Sequence, residues 1–168
     1  MKGRVVLPEG DEPKNLLKRY FDRKGSTTQF FNDLAGSDVQ VCILNQQLSE
    51  YYLHRESLLF INDCSEPVLL ASGVFFIENL SKSQVDELIH TSIPAGIILG
   101  VNNISKSHER ICVSHDRALL SKLKVSEKAC FKRSFQLMSG AIKVANLTEV
   151  VSCQSLARAL GGSTPCKF

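Results

Sequence analysis

What the chain lacks narrows the field first. No apolar run approaches the roughly 20 residues a transmembrane helix needs. The longest, residues 93–101, is broken by Pro94, Gly96 and Gly100. Residues 1–8 hold too short an apolar stretch for a secretory signal, so a cytoplasmic protein is expected. Glycine-rich phosphate loops of either common type are missing, which removes the usual nucleotide signatures. Ser72-Gly73 and Ser139-Gly140 do not form a nucleophile elbow, and no kinase, protease or metal-hydrolase pattern occurs. Charge of one sign is also scarce, since 20 Lys+Arg against 17 Asp+Glu leave +3. That bias is too weak to mark a nucleic-acid binder. The densest basic cluster, Lys128, Lys132 and Arg133, is interleaved with apolar residues.

Six cysteines are present: Cys42, Cys64, Cys112, Cys130, Cys153 and Cys166. None forms C-x-x-C, and no cysteine–histidine pair has zinc-ligand spacing. Without a signal segment, reduced thiols are expected, several of them acting as small core hydrophobes. Cys42 and Cys112, inside strand-like runs, are the clearest candidates for that role. His54, His90, His108 and His115 are scattered. Neither a metal site nor a cofactor is expected.

What the chain does have is the make-up of one globular domain. Its 168 residues are 43% hydrophobic and 22% charged. A chain of this size buries roughly 70% of its unfolded surface and needs no staple. Residues 1–160 are expected to form the domain, with a flexible tail at 161–168 that begins Gly161-Gly162-Ser163-Thr164-Pro165. After a polar lead-in bracketed by Pro8 and Pro13, Leu16, Leu17, Tyr20 and Phe21 recur at helical spacing across residues 14–23. Ser26, Thr27 or Thr28 can cap a second helix that closes at Gly36. Residues 39–44 alternate as a strand.

Residues 53–61 and 68–77 read as strands of an antiparallel hairpin, joined by a turn at 62–67. Ser81 caps a helix through His90, and Pro94 opens another short one. Residues 110–114 alternate again, while residues 118–124 are ambiguous. Residues 131–138 and 142–151 form a second hairpin, and residues 153–160 a closing helix. The pattern predicts an α+β domain: an antiparallel sheet of about six strands with helices packed on one face.

Two charged residues sit oddly in apolar strands. Arg55 opens the run into Leu58-Leu59-Phe60, and Glu149 lies near the end of residues 144–151. A buried carboxylate needs a partner or a raised pKa. An arginine on a sheet face suits a carboxylate gripped by two parallel hydrogen bonds. The plainer alternatives are that each faces water on an edge, or that the two pair with each other.

Taken in order, several segments resemble the chorismate lyase family. His54-Arg55-Glu56-Ser57-Leu58-Leu59, the turn ending Glu66-Pro67 and residues 68–77 resemble its central hairpin. Ser26-Thr27-Thr28 is similar to its segment S-M-T, and Pro94-Ala95-Gly96 to its segment P-L-G. Lys132-Arg133-Ser134 through Ser139-Gly140, then Leu147-Thr148-Glu149, is similar to the closing hairpin with two residues added. The likeness covers about residues 16–151. Thr27 and Ala95 stand where the family has a methionine and a leucine, and Gly73 stands where the bacterial enzyme has an arginine.

The resemblance implies a chorismate lyase-like fold closed over a buried ligand cavity. It also implies a cofactor-independent carbon–oxygen lyase that converts chorismate to 4-hydroxybenzoate and pyruvate. Arg55 would grip a substrate carboxylate and take part in catalysis with Glu149, which would hydrogen-bond the ring hydroxyl or leaving ether oxygen. Thr27 and Ala95 would complete the substrate contacts. The implied partner is a small molecule, chorismate or a related cyclic acid, with no nucleic acid and no membrane span, the chain being a monomer or homodimer. The same architecture resembles effector domains of some transcription regulators. The alternative function is therefore a non-catalytic or altered-substrate protein that binds a small aromatic acid. A third reading is an interaction domain in which Arg55 and Glu149 form a structural ion pair.

Overall fold

The computed structural model describes residues 12–23, 25–61, 64–100 and 103–160. The lead-in around Pro8, part of the turn expected at 62–67 and the tail expected at 161–168 lie outside them. Helices α1 (Glu12–Asp22) and α2 (Thr27–Ala35) precede a meander of β1 (Val39–Leu48), β2 (Tyr52–Ile61) and β3 (Leu69–Phe76). Helices α3 (Lys82–His90) and α4 (Ala95–Leu99) precede a second meander, β4 (Ser105–Ser114), β5 (Cys130–Ser139) and β6 (Ile142–Val151). Helix α5 (Arg117–Leu123) lies between β4 and β5, and α6 (Cys153–Ala157) follows β6. Each half is thus a helix pair feeding a three-stranded meander.

The strands form one antiparallel sheet in the order β1-β2-β3-β6-β5-β4. The two meanders meet at β3 and β6, so the middle of the sheet is built from both halves. Alternation along each strand then sorts side chains onto two faces. On one face, Leu59, Ile61, Leu69 and Val151 pack with Leu16 and Tyr20 of α1, Phe31 of α2 and Leu156 of α6. Further along that face, Leu53, Phe75, Phe135 and Leu137 pack with Leu88 of α3 and Leu99 of α4. The expected layering therefore holds for five of the six helices. Helix α5 alone packs on the opposite face, where Leu120 and Leu123 meet Leu58, Leu70 and Val150.

Local chemistry fixes the helix ends as read from the sequence. The Ser26 hydroxyl accepts from the Gln29 amide at the start of α2, and Gly36 closes that helix in the left-handed region at φ 68°. Ser81 and Gln84 form a reciprocal capping box on α3. Several elements differ from expectation: β1 runs on to Leu48 rather than residue 44, and α6 ends at Ala157 rather than residue 160. Strand β4 begins five residues earlier than residue 110, across a stretch with no apolar residue to reveal it. A bulge interrupts it between Ser107 and Arg110, with His108 at φ 52°. The ambiguous segment at residues 118–124 is α5, capped by the Asp116 carboxylate.

The cysteine expectation needs two corrections. Cys64 is disulfide-bonded rather than reduced. Cys42 and Cys112 are exposed rather than core residues, because β1 and β4 are the outer strands of the sheet. Cys130, under α5, is buried. Among the described residues, no helix is long and apolar enough to cross a membrane.

Candidate ligand-binding site

A cavity of about 180 Å³ lies between the helix-covered face and the two helix pairs. Its floor is drawn from both meanders: Arg55 and Leu59 from β2, Gly73 and Phe75 from β3, Leu147 and Glu149 from β6, Phe135 and Leu137 from β5. Its roof has two parts. Gly25 and Ser26 come from the α1–α2 turn and Thr27 and Thr28 from the start of α2, while Pro94, Ala95 and Gly96 come from the start of α4. The fold brings Arg55, Thr27, Ala95 and Glu149 together around one chamber.

Gly73 has a specific reason to lack a side chain. A Cβ there would lie 2.5 Å from Leu147 Cδ2 and 2.7 Å from the Phe75 ring. Leu147 and Phe75 occupy that space and give the floor its apolar character. An arginine in place of Gly73 would have to displace them.

Glu149 and Arg55 are each about 95% buried, at 5% and 4% exposure, yet they are satisfied differently. Glu149 accepts from the Tyr20 phenol at 2.8 Å, from the Arg23 guanidinium at 3.4 Å and, closely, from the Thr27 hydroxyl. All three donors belong to α1, the α1–α2 turn or the first residue of α2. Arg23 also donates to the Thr27 hydroxyl at 2.5 Å and the Gly25 carbonyl at 2.6 Å. The glutamate is thus the latch that holds the first roof segment on the sheet. Burial, then the Glu149 charge, pushes the Tyr20 phenol well above its ordinary pKa, so it stays a donor.

Among the described residues Arg55 has no such counter-charge. One of its terminal nitrogens donates to the Thr91 and Ile93 carbonyls, at 3.2 and 3.0 Å, tying down the segment between α3 and α4. Its Nε has no partner among the described residues. Burial lowers its pKa, with no carboxylate to hold it up. A structural ion pair between Arg55 and Glu149, one of the plainer alternatives, is therefore excluded by the partners each actually has.

Two residues that sequence reasoning missed also belong here. Arg133, noted in the sequence only as part of the densest basic cluster, is 1% exposed. It donates to the Tyr20 carbonyl at 3.1 Å and to Glu109 at 3.0 Å. Burial lowers its pKa, but the Glu109 hydrogen bond and the nearby Glu149 and Glu109 charges outweigh this and raise it. The alternation Phe131, Arg133, Phe135, Leu137 on one face of β5 was the available signal. Lys106 lines the cavity from β4 and had no signal at all, since its strand carries no apolar pattern there. Its Nζ lies 3.3 Å from the Gly25 carbonyl and 4.7 Å from the Phe135 ring centroid. Burial, reinforced by Arg23 and Arg133, lowers its pKa to about 8. Among the described residues, no cluster of His, Cys, Asp and Glu could hold a metal ion.

No family model matches the chain, and no curated protein does. Its structure is similar to the ligand-binding domain of a protein named as a GntR-family transcriptional regulator from Bordetella bronchiseptica. The TM-score is 0.50 at 8% identity, over 67% of this chain and 85% of that one. It is also similar to the C-terminal domain of the histidine utilization repressor from Pseudomonas syringae pv. tomato. There the TM-score is 0.47 at 12% identity, over 68% and 91% of the two chains. At such identities the shared property is the fold, and the expected chorismate lyase-like architecture stands at that level.

The expectation of a carbon–oxygen lyase is corrected by the same finding. The fold likeness runs to a domain named for ligand binding in a regulator. The physical picture agrees, because Glu149, the residue expected to act on the leaving group, is occupied by donors from its own chain.

Proposed function

We propose that this domain binds a small organic acid and holds it without chemical change. The observation that carries the reading is Arg55: a buried guanidinium in the wall of an apolar cavity, with an unpartnered Nε and no counter-ion among the described residues. Burying a cation costs free energy unless something compensates it. Two backbone carbonyls compensate in part, and a ligand carboxylate would complete the set through charge-assisted hydrogen bonds. The cavity size suits a single ring, since an apolar cavity of about 150 Å³ accepts benzene. The fold likeness to a regulator's ligand-binding domain supports binding as the task.

In this reading Arg55 anchors the carboxylate and the ring lies over Gly73, Leu147 and Phe135. Thr27 and Ala95 close the roof, and Glu149 keeps the first roof segment seated. 4-Hydroxybenzoate is a suitable probe. At 100 times its dissociation constant a ligand raises unfolding free energy by about 2.7 kcal/mol. A thermal melt should show a corresponding upward shift with wild-type protein and none with Arg55→Met. Chorismate incubated with the protein should be recovered intact. A melt unmoved by any single-ring acid would overturn the proposal.

A further inference from the structure

Around the chamber, positive charge outnumbers negative. Arg23, Arg55, Lys106 and Arg133 surround it, against the carboxylates of Glu109 and Glu149. Arg23 is paired with Glu149 and Arg133 with Glu109. The two cations in the wall of the cavity itself, Arg55 and Lys106, have no carboxylate within ion-pair distance among the described residues.

These two stand on opposite sides of the floor. Arg55 is on β2 and Lys106 on β4, with β3, β6 and β5 between them. Four strand spacings of about 4.8 Å put their backbones roughly 19 Å apart, so long side chains converge from both sides. Their register rows are adjacent. Arg55 aligns with Gly73, Leu147 and Phe135, and Lys106 with Leu137, Ala145 and Phe75. Apolar floor therefore separates two cationic ends.

Lys106 is also cheap to redirect. Its one polar acceptor among the described residues, the Gly25 carbonyl, is 3.3 Å away and already receives a 2.6 Å bond from Arg23. Lys106 can leave that carbonyl without orphaning it, whereas a buried acceptor stripped of its only donor would carry the full desolvation cost.

We propose that Lys106 is a second anion-binding residue of this site, and that the preferred ligand is a compact dianion: two acidic groups held apart by an apolar ring, one on Arg55 and the other on Lys106. This rests on the acid-binding reading above and adds to it a choice between monoacids and diacids. The depressed pKa of Lys106 fits the same picture, because burial beside Arg23 and Arg133 disfavours its charge until an anion arrives.

The test compares benzoate with benzene-1,4-dicarboxylate by calorimetric titration at pH 7, on wild type and on Lys106→Met. The quantity read is the ratio of the two dissociation constants, which cancels any general loss of folded protein. The diacid should bind wild type about tenfold or more tightly than the monoacid, from one added charge-assisted hydrogen bond. In Lys106→Met the ratio should fall to about one. Equal affinity of the two acids for wild type overturns the role of Lys106 while leaving Arg55 as anchor. A diacid preference that survives in Lys106→Met also overturns it. Failure of both acids to bind wild type overturns the acid-binding reading, and this inference with it.

Discussion

The two roof segments make the most instructive comparison in the molecule. The α1–α2 segment is fastened to the sheet by a carboxylate, Glu149, that receives three donors from it. The segment between α3 and α4 is fastened by a guanidinium, Arg55, that donates to two of its carbonyls. The first fastening is closed, with charge matched to charge. The second is open, because neutral carbonyls leave the cation electrically uncompensated. A buried group with its charge balanced is structural, and one whose charge is unbalanced beside a cavity is available to a ligand.

The largest effect should come from breaking the closed fastening. Glu149→Ala strands Arg23, Tyr20 and Thr27, and removing one partner of a buried pair costs about 3–5 kcal/mol. Urea unfolding should show that loss. A change under about 1 kcal/mol would mean the carboxylate is not the latch. Next is Gly73→Ala, which drives a methyl group into Leu147 and Phe75. Overpacking of this kind costs about 1–3 kcal/mol, and it should also weaken ligand binding by narrowing the floor. A variant of wild-type stability would show that the floor repacks freely.

Opening the second fastening should cost less. Arg55→Met removes an uncompensated buried cation while releasing two carbonyls, so the terms oppose and stability should change by about 1 kcal/mol or less. A loss as large as that of Glu149→Ala would erase the distinction between the fastenings.

The last effect, discounted by solvent screening because Lys106 is only partly buried, is in the alkaline limb. The Lys106 pKa is about 8 in the fold against 10.5 for the free group. The unfolded chain therefore binds more protons between those values, and stability should rise with pH across that window. The groups that face Lys106 are Arg23 and Arg133, which oppose its charge, and Glu149 and Glu109, which favour it. A Lys106→Met variant should lack the rise. An equal rise in the variant would place its origin elsewhere.

Most of the fold was legible because its signals are local. The caps at Ser26, Gly36 and Ser81 and the alternation of β2, β3, β5 and β6 each declare themselves within a few residues. Segments without apolar residues did not, which is why the first half of β4 and with it Lys106 escaped notice. The exposure of Cys42 and Cys112 depends on which strands end up at the edges, and that is a property of topology. The site was legible in part. Arg55 and Glu149 stood out as charges in apolar strands, and the resemblance added Thr27 and Ala95. The donors to Glu149 were not legible, since Tyr20 lies 129 residues away in sequence. Those partners tie the glutamate to the first roof segment.

The central claim is that Arg55 awaits a carboxylate. Titration of 4-hydroxybenzoate into wild type and Arg55→Met tests it most directly. Saturable one-to-one binding to wild type, weakened by roughly tenfold to a hundredfold or more in the variant, is the predicted result. Equal affinity for both proteins would contradict the account.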